Sequence, residues 1–491
     1  MAGERREEEE AAREKLRGAG VKNVLCMFSD LRGILQSFTV PAEEFIEGDA
    51  FEGIGFDGSS IRGFKTIEMS DMVWVPDAST TRVIPWIGEN IQKSAIIFGD
   101  IYEAFGERGG GVVSEVDPRG YVARRAMLKA EKMGFRAVFG PEIEYFVFES
   151  IDPTKLVYDL WASPAGGKGD SWGPPRVVPS SPEIRPGGII LRPKEAYFRA
   201  PPEDTTNEYR NEVAYYLRKM GIEVECHHHE VATAGQIEID YKPMEAIQCG
   251  DAFYICKFVA KNIAKKFGWV ATFMPKPLYL DNASGMHTHI SLWRGEPFKG
   301  DNVFFDADDE FGLSQTARYF IGGLIEHSKA LTAICCPTVN SYKRLVPGFE
   351  APINISWSPR NRSALVRVPT YFKRPKAMRC EYRAVDPSCN PYLAFSCLLA
   401  AGLDGIKKKI EPGEPLRMDM YELSPAEKEK YGIGELPTTL RDAIDHLTTD
   451  EVLQETLGNH IYEAFVSLKI DEWNQYCLYV TPWEIMKYLD Y

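Results

Sequence analysis

Four short segments of this chain carry side chains of metal- and anion-binding types at every second position. Side chains at positions i and i+2 of a β-strand face the same side of the sheet. Each segment therefore predicts a strand with one apolar face and one polar face. The polar rows are Glu142 and Glu144; Gln236, Glu238 and Asp240; His287, His289 and Ser291; and Arg379, Glu381 and Arg383.

These rows admit two interpretations. Four half-exposed amphipathic strands would show the same alternation. Exposed rows, however, usually carry Thr, Lys and mixed charge, whereas these rows carry Glu, His and Arg, which bind metals and phosphates. Taken together, the rows favour a sheet whose polar face lines a cavity.

The acids and imidazoles also indicate a bound cation, because a divalent ion commonly holds such groups in one pocket. Five of the eight histidines lie at residues 227–229 and at His287 and His289, close to glutamates in the sequence. Ligands of the Glu and His type, with no cysteine nearby, suit Mg²⁺ or Mn²⁺ better than structural zinc.

A basic block between Lys343 and Arg383 predicts a local anionic ligand. It holds ten basic residues and only two acids, Glu350 and Glu381, in a chain whose net charge is −14. A solvated basic face, or an interface with an acidic neighbour, is the alternative. The chain has neither a Walker A loop nor a Gly-x-Ser-x-Gly elbow, so a nucleotide would have to be held by metals and arginines.

The remaining composition predicts a cytoplasmic protein that binds neither nucleic acid nor membrane. Its acidic net charge argues against nucleic acid, and no apolar run is long enough to span a bilayer. Residues 4–15 mix Glu, Arg and Ala, unlike an export signal. The ten cysteines are scattered without a Cys-x-x-Cys pair and are expected to be free thiols.

Breaks in composition predict a charged helix at residues 1–20, a small strand-rich module at 21–112 and a larger domain at 113–491. Glycines 109–111 and a helix start at Asp117 place the boundary. A Gly- and Pro-rich surface insertion is predicted at about residues 152–188. Helices are predicted at residues 117–130, 204–220, 243–267, 314–333, 391–410 and 438–447.

Six runs of residues resemble the type I glutamine synthetase family, in family order and over nearly the whole chain. They are residues 56–60 (FDGSS), 140–144 (GPEIE), 228–236 (HHEVATAGQ), 284–289 (SGMHTH), 343–352 (KRLVPGFEAP) and 361–363 (NRS). The resemblance implies an α+β fold with a small N-terminal β-grasp-like domain. It also implies a large C-terminal catalytic domain, in which an antiparallel sheet is flanked by helices.

The same resemblance implies ATP-dependent ligation of ammonia to L-glutamate, giving L-glutamine, ADP and phosphate through γ-glutamyl phosphate. It implies a homo-oligomer, a dodecamer of two hexameric rings, with each site between one catalytic domain and a neighbour's N-terminal domain. Two or more Mg²⁺ or Mn²⁺ ions per subunit are implied. Their ligands would be Glu144, Glu230 and Glu238 for one ion, and Glu142, His287 and Glu381 for the other.

Substrate-binding residues are implied in the same way. ATP contacts are expected at Glu225, His289, Ser291, Arg362, Arg367, Lys376 and Arg379. Glutamate contacts are expected at Asn282, Ala283, Arg344, Glu350, Arg362 and Arg383. Ammonium contacts are expected at Asp57, Ser60, Tyr197 and Glu230.

Three of these residues are expected to be catalytic. Asp57 would take a proton from ammonium, and Arg362 would neutralise the transferring phosphate. Glu350 would lie on a flap at residues 346–352 that closes the site against water. The histidines at residues 227–229 are not expected to be ligands, and Gln236 and Asp240 receive no catalytic role.

The chain departs from the family pattern at four positions. Ala283 stands where glycine is usual, and Pro243 where an aromatic side chain often packs on adenine. Thr66 replaces an arginine used in feedback inhibition, and Tyr421 lies in a segment resembling an adenylylation site, so neither regulatory scheme is assigned. Two alternatives stay open: a γ-glutamyl-amine ligase on the same fold, and a non-catalytic structural or regulatory member.

Overall fold

The computed structural model describes residues 2–86, 92–104, 111–152, 160–164, 171–172, 194–232, 235–348, 350–418 and 425–491. Most of the insertion predicted at residues 152–188, together with Tyr421, lies outside the described residues. Among those described, every helix is too short or too polar to cross a membrane.

The N-terminal part contains helices α1 (Ala2–Ala19) and α2 (Ala42–Ile46) and strands β1 (Asn23–Ser29), β2 (Leu35–Pro41), β3 (Ile54–Asp57), β4 (Asp71–Pro76), β5 (Arg82–Val83) and β6 (Ser94–Glu103). These strands form a sheet in the order β2-β1-β6-β4-β3, with β5 beside β6. Trp74 is buried in it and donates a hydrogen bond to the Met27 carbonyl at 3.1 Å. Strand β3 ends at the exposed Asp57, at the rim of this sheet.

In the larger part, the described residues form fourteen further strands. They are β7 (Arg136–Asp152), β8 (Leu160–Pro164), β9 (Ser171–Trp172), β10 (Val224–His229), β11 (Gln236–Tyr241), β12 (Met244–Glu245), β13 (Val270–Thr272), β14 (Met286–Arg294), β15 (Asp301–Asn302), β16 (Asn354–Ile355), β17 (Trp357–Pro359), β18 (Val366–Val368), β19 (Cys380–Tyr382) and β20 (Gly434–Glu435). The central sheet follows the order β10-β11-β7-β14-β19-β18-β17. These pairs are antiparallel except at the edge, where β17 and β18 run parallel.

The described residues of this part also form eleven α-helices. They are α3 (Arg124–Lys132), α4 (Asn207–Lys219), α5 (Ala246–Lys266), α6 (Gln315–Glu326), α7 (Ser328–Cys335), α8 (Pro391–Lys408), α9 (Pro425–Lys430), α10 (Leu440–Leu447), α11 (Glu451–Leu457), α12 (Asn459–Leu478) and α13 (Pro482–Tyr488). Helix α8 packs behind β7, where Phe395 stacks on Phe139 with ring centroids 5.0 Å apart. Because strand side chains alternate, this packing leaves Glu142 and Glu144 on the opposite face.

Three predicted helices differ from the observed ones. The helix predicted at residues 314–333 is divided into α6 and α7, because the His327 backbone leaves helical geometry (φ −88°, ψ 2°) and its ring contacts α8 and the start of α11. The helix predicted at residues 243–267 begins only at Ala246, since Met244 and Glu245 pair with β7. Residues 118–123 form a π-helix before α3.

The break at His327 predicts a pH-dependent stability. Burial lowers the pKa of His327, but contacts with Asp450 at 2.6 Å and Asp404 at 3.1 Å outweigh it, so the pKa lies above its usual value. A pKa raised by folding stabilises the protein fully below the unfolded pKa of about 6.5, and this stabilisation is lost as pH rises through the folded value.

We therefore expect His327→Gln to lower the melting temperature by a few degrees near pH 5.5 and by much less near pH 9. Differential scanning fluorimetry of both proteins across this range measures the difference. An equal loss at both ends of the range would contradict a contribution from the charged imidazole.

Candidate active site

A cavity of about 500 Å³ opens on the polar face of the central sheet. Five carboxylates and four guanidinium groups are among the side chains that line it. Eleven of the predicted site residues line it: Glu142, Glu144, Glu230, Glu238, Asn282, Ala283, His287, Arg344, Glu350, Arg362 and Arg383. Members of the polar rows on β7, β11 and β14 thus face one cavity.

Strand register brings the polar rows together. Strand β11 pairs with β7 so that Glu238 lies opposite Glu144 and Asp240 opposite Glu142. On the other side of β7, His287 of β14 also lies opposite Glu142. Directly opposed residues of an antiparallel pair have neighbouring side chains, so the three strands bring their acids and imidazoles into contact range.

Glu144 lines the cavity and is held by three contacts. Its Oε2 accepts hydrogen bonds from the Gln236 amide nitrogen and the Gly285 backbone N–H, both at 3.0 Å. Its Oε1 lies 3.4 Å from Nε2 of His287. Burial and the charge of Glu142 raise the pKa of Glu144, although contacts with Gly285 and arginines oppose them. The position of Glu144 is therefore fixed, and a charged carboxylate at this position is unfavourable unless a cation lies beside it.

Glu230 and Glu238 form a second acidic pair with His228. One ligand atom from each of the three residues lies within 4.8 Å of the other two. His228 Nε2 lies 3.0 Å from Glu238 Oε1. Burial, followed by neighbouring carboxylates, raises the pKa of Glu230 to about 9 and that of Glu238 well above its usual value. Several carboxylates that repel each other in a buried cavity are the donor set of a divalent-cation site.

The protonation of His287 also fits a cation. Its Nδ1 lies 3.1 Å from the Arg383 carbonyl oxygen, and because a carbonyl only accepts, Nδ1 must donate. Burial and the Arg383 charge hold the pKa of His287 well below its usual value, so the ring is neutral. Its Nε2 then carries a lone pair directed at Glu144, an arrangement that a cation between the two atoms would stabilise.

Glu381 is placed differently from the other acids. Its two oxygens accept hydrogen bonds from Arg367 and Arg383, both at 2.5 Å. Burial raises the pKa of Glu381, but Arg383, the two histidines on β14 and Arg367 outweigh it and hold the pKa far below its usual value. Glu381 is not in the cavity lining, and as a metal ligand it would have to give up one guanidinium contact.

The basic block contributes the opposite charge. Arg344, Arg362 and Arg383 line the cavity. Arg344 is buried and donates hydrogen bonds to the carbonyls of Ala384 and Arg383, which fix its guanidinium group. The prediction of a local anionic site at this block is consistent with this placement, because three arginines of the block line one cavity.

The other residues expected at ATP lie outside the cavity lining. His289 connects two of the rows, since its Nε2 contacts Glu142 at 2.8 Å and its Nδ1 accepts from Arg379 at 3.1 Å. Ser291 accepts a hydrogen bond from the Trp293 indole at 2.9 Å. Glu225 and Lys376 are exposed, and Arg367 is buried against Glu381.

Of the residues expected to contact ammonium, some line the cavity and others lie outside it. Among the described residues that line the cavity, Glu230 is present and Asp57, Ser60 and Tyr197 are not. The exposed Asp57 accepts hydrogen bonds from Ser59 and Ser60, which hold its pKa below the usual value. Tyr197 is 43% exposed and its ring packs edge-on against His228.

The predicted flap at residues 346–352 carries one strained residue. Glu350 lines the cavity, is exposed and has a φ of +59°, in the left-handed region that non-glycine residues rarely occupy. Such strain is typical of functional loops. Residue 349 of this flap lies outside the described residues.

Two family models match nearly the whole chain. The model described as "Glutamine synthetase, catalytic domain" matches residues 115–488, and "Glutamine synthetase, beta-Grasp domain" matches residues 20–104. The chain belongs to the glutamine synthetase family. This confirms the family predicted from the six sequence runs and the two-domain α+β fold that the resemblance implied.

Relatives that carry the name glutamine synthetase align over the full chain. That of Archaeoglobus fulgidus is 66% identical over 493 residues, covering 100% of this chain and 99% of the relative. That of Sulfolobus acidocaldarius is 44% identical and covers 98% of each chain. The solved glutamine synthetase of Plasmodium falciparum has a TM-score of 0.83 at 27% identity over 98% of each chain. GmaS in complex with ADP has a TM-score of 0.80 at 30% identity, over 98% of this chain and 99% of that chain.

Sequence reasoning assigned no role to two residues that the structure places against the acids. Gln236 donates to both Glu144 and the Ala283 carbonyl at 3.0 Å, so it positions a proposed metal ligand of this glutamine synthetase family member. His228 contacts Glu238. The signal for Gln236 was present, because it shares a strand face with Glu238. Ala283 has no positive φ, so alanine is tolerated where the family has glycine.

Proposed function

We propose that this chain is an ATP-dependent ligase that joins ammonia to the γ-carboxylate of L-glutamate, releasing L-glutamine, ADP and phosphate. The observation that carries the proposal is the cavity itself. Five carboxylates, a neutral imidazole and four arginines line it, on a chain of the glutamine synthetase family. GmaS, a structural neighbour at 30% identity, was solved with ADP, which supports a nucleotide substrate.

The cavity residues fit two divalent cations of the Mg²⁺ or Mn²⁺ type. Glu144, Glu230 and Glu238 would hold one ion. Glu142 and His287, joined by Glu381, would hold the other. When bound, the two ions neutralise the transferring phosphoryl group and polarise its acceptor. Oxygen-rich donors favour these metals over zinc.

The arginines would orient the anionic substrates. Arg344 and Arg383 would bind the carboxylates of glutamate, with Asn282 and the Ala283 backbone near its amino end. Arg362 would neutralise the transferring phosphate. The other residues that would contact ATP are Glu225, His289, Ser291, Arg367, Lys376 and Arg379. Guanidinium groups form paired hydrogen bonds with both carboxylate and phosphate, which suits one basic block to both substrates.

The reaction would proceed in two steps. A γ-carboxylate oxygen of glutamate attacks the terminal phosphorus of ATP, the bond to ADP breaks, and γ-glutamyl phosphate forms. Ammonia then attacks the activated carbonyl carbon, and phosphate leaves with the oxygen that formed the link. Ammonium has no lone pair, so a carboxylate must bind it and accept a proton first. Asp57 would do this, with Ser60, Tyr197 and Glu230 around the ammonium ion.

A neighbouring subunit would supply Asp57. Asp57 lies on the rim of the N-terminal sheet and outside the cavity lining of its own chain, which supports a site shared between subunits. We propose the assembly implied by the family, a dodecamer of two hexameric rings, in which the N-terminal domain of one copy completes the cavity of the next.

Steady-state kinetics with ammonium against a panel of amines tests the activity. We expect kcat/KM for ammonium to exceed that for methylamine or putrescine, since the proposed ammonium site is framed by four polar side chains. A much higher kcat/KM for an organic amine would support the γ-glutamyl-amine ligase instead. No product from any amine would support a non-catalytic member.

Glu350→Ala is expected to uncouple ATP cleavage from amide formation. Without the flap carboxylate, water reaches γ-glutamyl phosphate, so glutamine formation should fall at least about 100-fold while some ATP is still hydrolysed. The ratio of phosphate to glutamine, measured in one reaction, should rise well above one. A ratio that stays at one would contradict a shielding role, and Glu414→Ala, at an exposed site, is the matched control.

A further inference from the structure

A second cluster of ligand-type side chains lies beside the acidic cavity. Cys226 and His228 are two residues apart on β10, and Asp240 of β11 lies opposite Cys226. One ligand atom from each of the three residues lies within 4.8 Å of the other two. The register of β10 shifts between Val224 and Cys226, and such bulges redirect side chains.

We propose that Cys226, His228 and Asp240 form an additional cation site that takes a thiophilic divalent ion of the Zn²⁺ type. A thiolate, an imidazole and a carboxylate together suit Zn²⁺, whereas Mg²⁺ prefers oxygen ligands alone. Glu and His ligands without a nearby cysteine are expected for Mg²⁺ or Mn²⁺; this additional site differs from them, because a ligand atom of Cys226 lies within 4.8 Å of those of His228 and Asp240.

Asp240 provides an observation that is independent of the spacing. Its Oδ2 accepts a hydrogen bond from the Cys226 thiol at 3.3 Å. Its Oδ1 is buried and has no hydrogen-bond partner among the described residues. A buried carboxylate oxygen without a partner is unfavourable, and a cation shared with Cys226 and His228 would satisfy it. Asp240 has no role in the proposed glutamine-forming reaction.

The site is open to exchange. Cys226 is one of two exposed cysteines, with Cys477, while the other eight are buried. Three protein ligands leave the fourth tetrahedral position to water, as in open rather than structural zinc sites. The ion binds the thiolate sulfur, and the thiol proton passes to water, so binding weakens in acid.

His228 connects this site to the proposed catalytic metals. Its Nδ1 lies 3.3 Å from the His229 carbonyl oxygen, which leaves Nε2 as the ligand atom, and Nε2 lies 3.0 Å from Glu238. An ion bound with Cys226 would therefore draw Nε2 away from a proposed ligand of the catalytic ion. Outer-shell contacts of this kind change metal affinity about 10- to 100-fold. Only this coupling rests on the proposed function; the site itself does not.

Cobalt is the probe that reports the thiolate directly. Metal-free full-length protein, without ATP or glutamate, would be titrated with Co²⁺ and followed by absorption in the near ultraviolet. We expect a thiolate-to-cobalt charge-transfer band in the wild type and in Cys477→Ser, and its loss in Cys226→Ser. Asp240→Asn should retain the band with an affinity about tenfold weaker or more. Zn²⁺, but not Mg²⁺, should displace the cobalt and abolish the band.

Two results would overturn the site. One is a wild-type protein without a thiolate band at saturating Co²⁺. The other is a band that survives in Cys226→Ser, which would assign it to a different cysteine. Because the band is read without substrates, a protein that makes no glutamine but shows the band would overturn the proposed function and leave this site standing.

Discussion

Replacing Glu144 with Gln is expected to lower kcat/KM for glutamine formation at least about 100-fold. Loss of a residue that only contacts a metal ligand can already lower activity by about this factor, and Glu144 is a proposed ligand itself. Glu144 is a buried residue of the cavity lining, where Gln236 and Gly285 fix it and His287 lies 3.4 Å away. The amide keeps the shape and the hydrogen-bonding oxygen but removes the charge that a cation needs. Isothermal titration of Mn²⁺ should show a weakened or missing site.

The matched control for this variant is Glu326→Gln, the same substitution at an exposed position of α6. It should leave activity and Mn²⁺ binding unchanged. Because the neutral amide of Glu144→Gln would also relieve repulsion from Glu142, that variant should melt no lower than the wild type. Full activity in Glu144→Gln would contradict the proposed metal ligands, and a collapsed melting transition would instead indicate a structural role.

Asp57→Asn is expected to lower glutamine formation by about 100- to 10,000-fold at neutral pH, the usual range for a lost general base. Hydrogen bonds from Ser59 and Ser60 hold the pKa of Asp57 below its usual value, so the carboxylate is charged and able to bind ammonium. The deficit should shrink as pH rises, because free ammonia then needs no base. Rates measured against pH give this profile, with the exposed Asp49→Asn as control.

A mixed assembly tests whether Asp57 acts across a subunit boundary. Co-expressed Asp57→Asn and Glu144→Gln chains would each be inactive alone. In random mixed rings, about a quarter of sites would combine an intact Asp57 from one chain with an intact Glu144 from its neighbour. Recovered activity of that order supports shared sites, whereas a mixture as inactive as its parents would place Asp57 elsewhere.

Strand alternation predicts which side chains of the cavity share a face. Glu142 and Glu144, two residues apart on a strand with apolar residues between, must face the same side. Alternation does not predict the register between strands, however. The placement of Glu238 opposite Glu144, and of His287 opposite Glu142, depends on how β11 and β14 pair with β7. Both strands are many residues away from β7 in the sequence.

Side-chain partners are predicted least well. The row on β19 places Arg383 two residues from Glu381, but the second guanidinium partner, Arg367, comes from β18, and the Gln236 amide that holds Glu144 comes from β11. The sequence pattern does not predict the helix break at His327 either, because its partners Asp404 and Asp450 are far away in the sequence. These contacts form only once the tertiary fold brings the residues together.

Oxygen-18 transfer tests most directly whether this cavity makes γ-glutamyl phosphate. Glutamate labelled in its γ-carboxylate would be incubated with the protein, ATP, ammonium and Mg²⁺, and the phosphate released would be analysed by mass spectrometry. The mechanism predicts that every glutamine formed is accompanied by one phosphate carrying oxygen-18, and that chelating the metal stops both products. Glutamine formed together with unlabelled phosphate would contradict it.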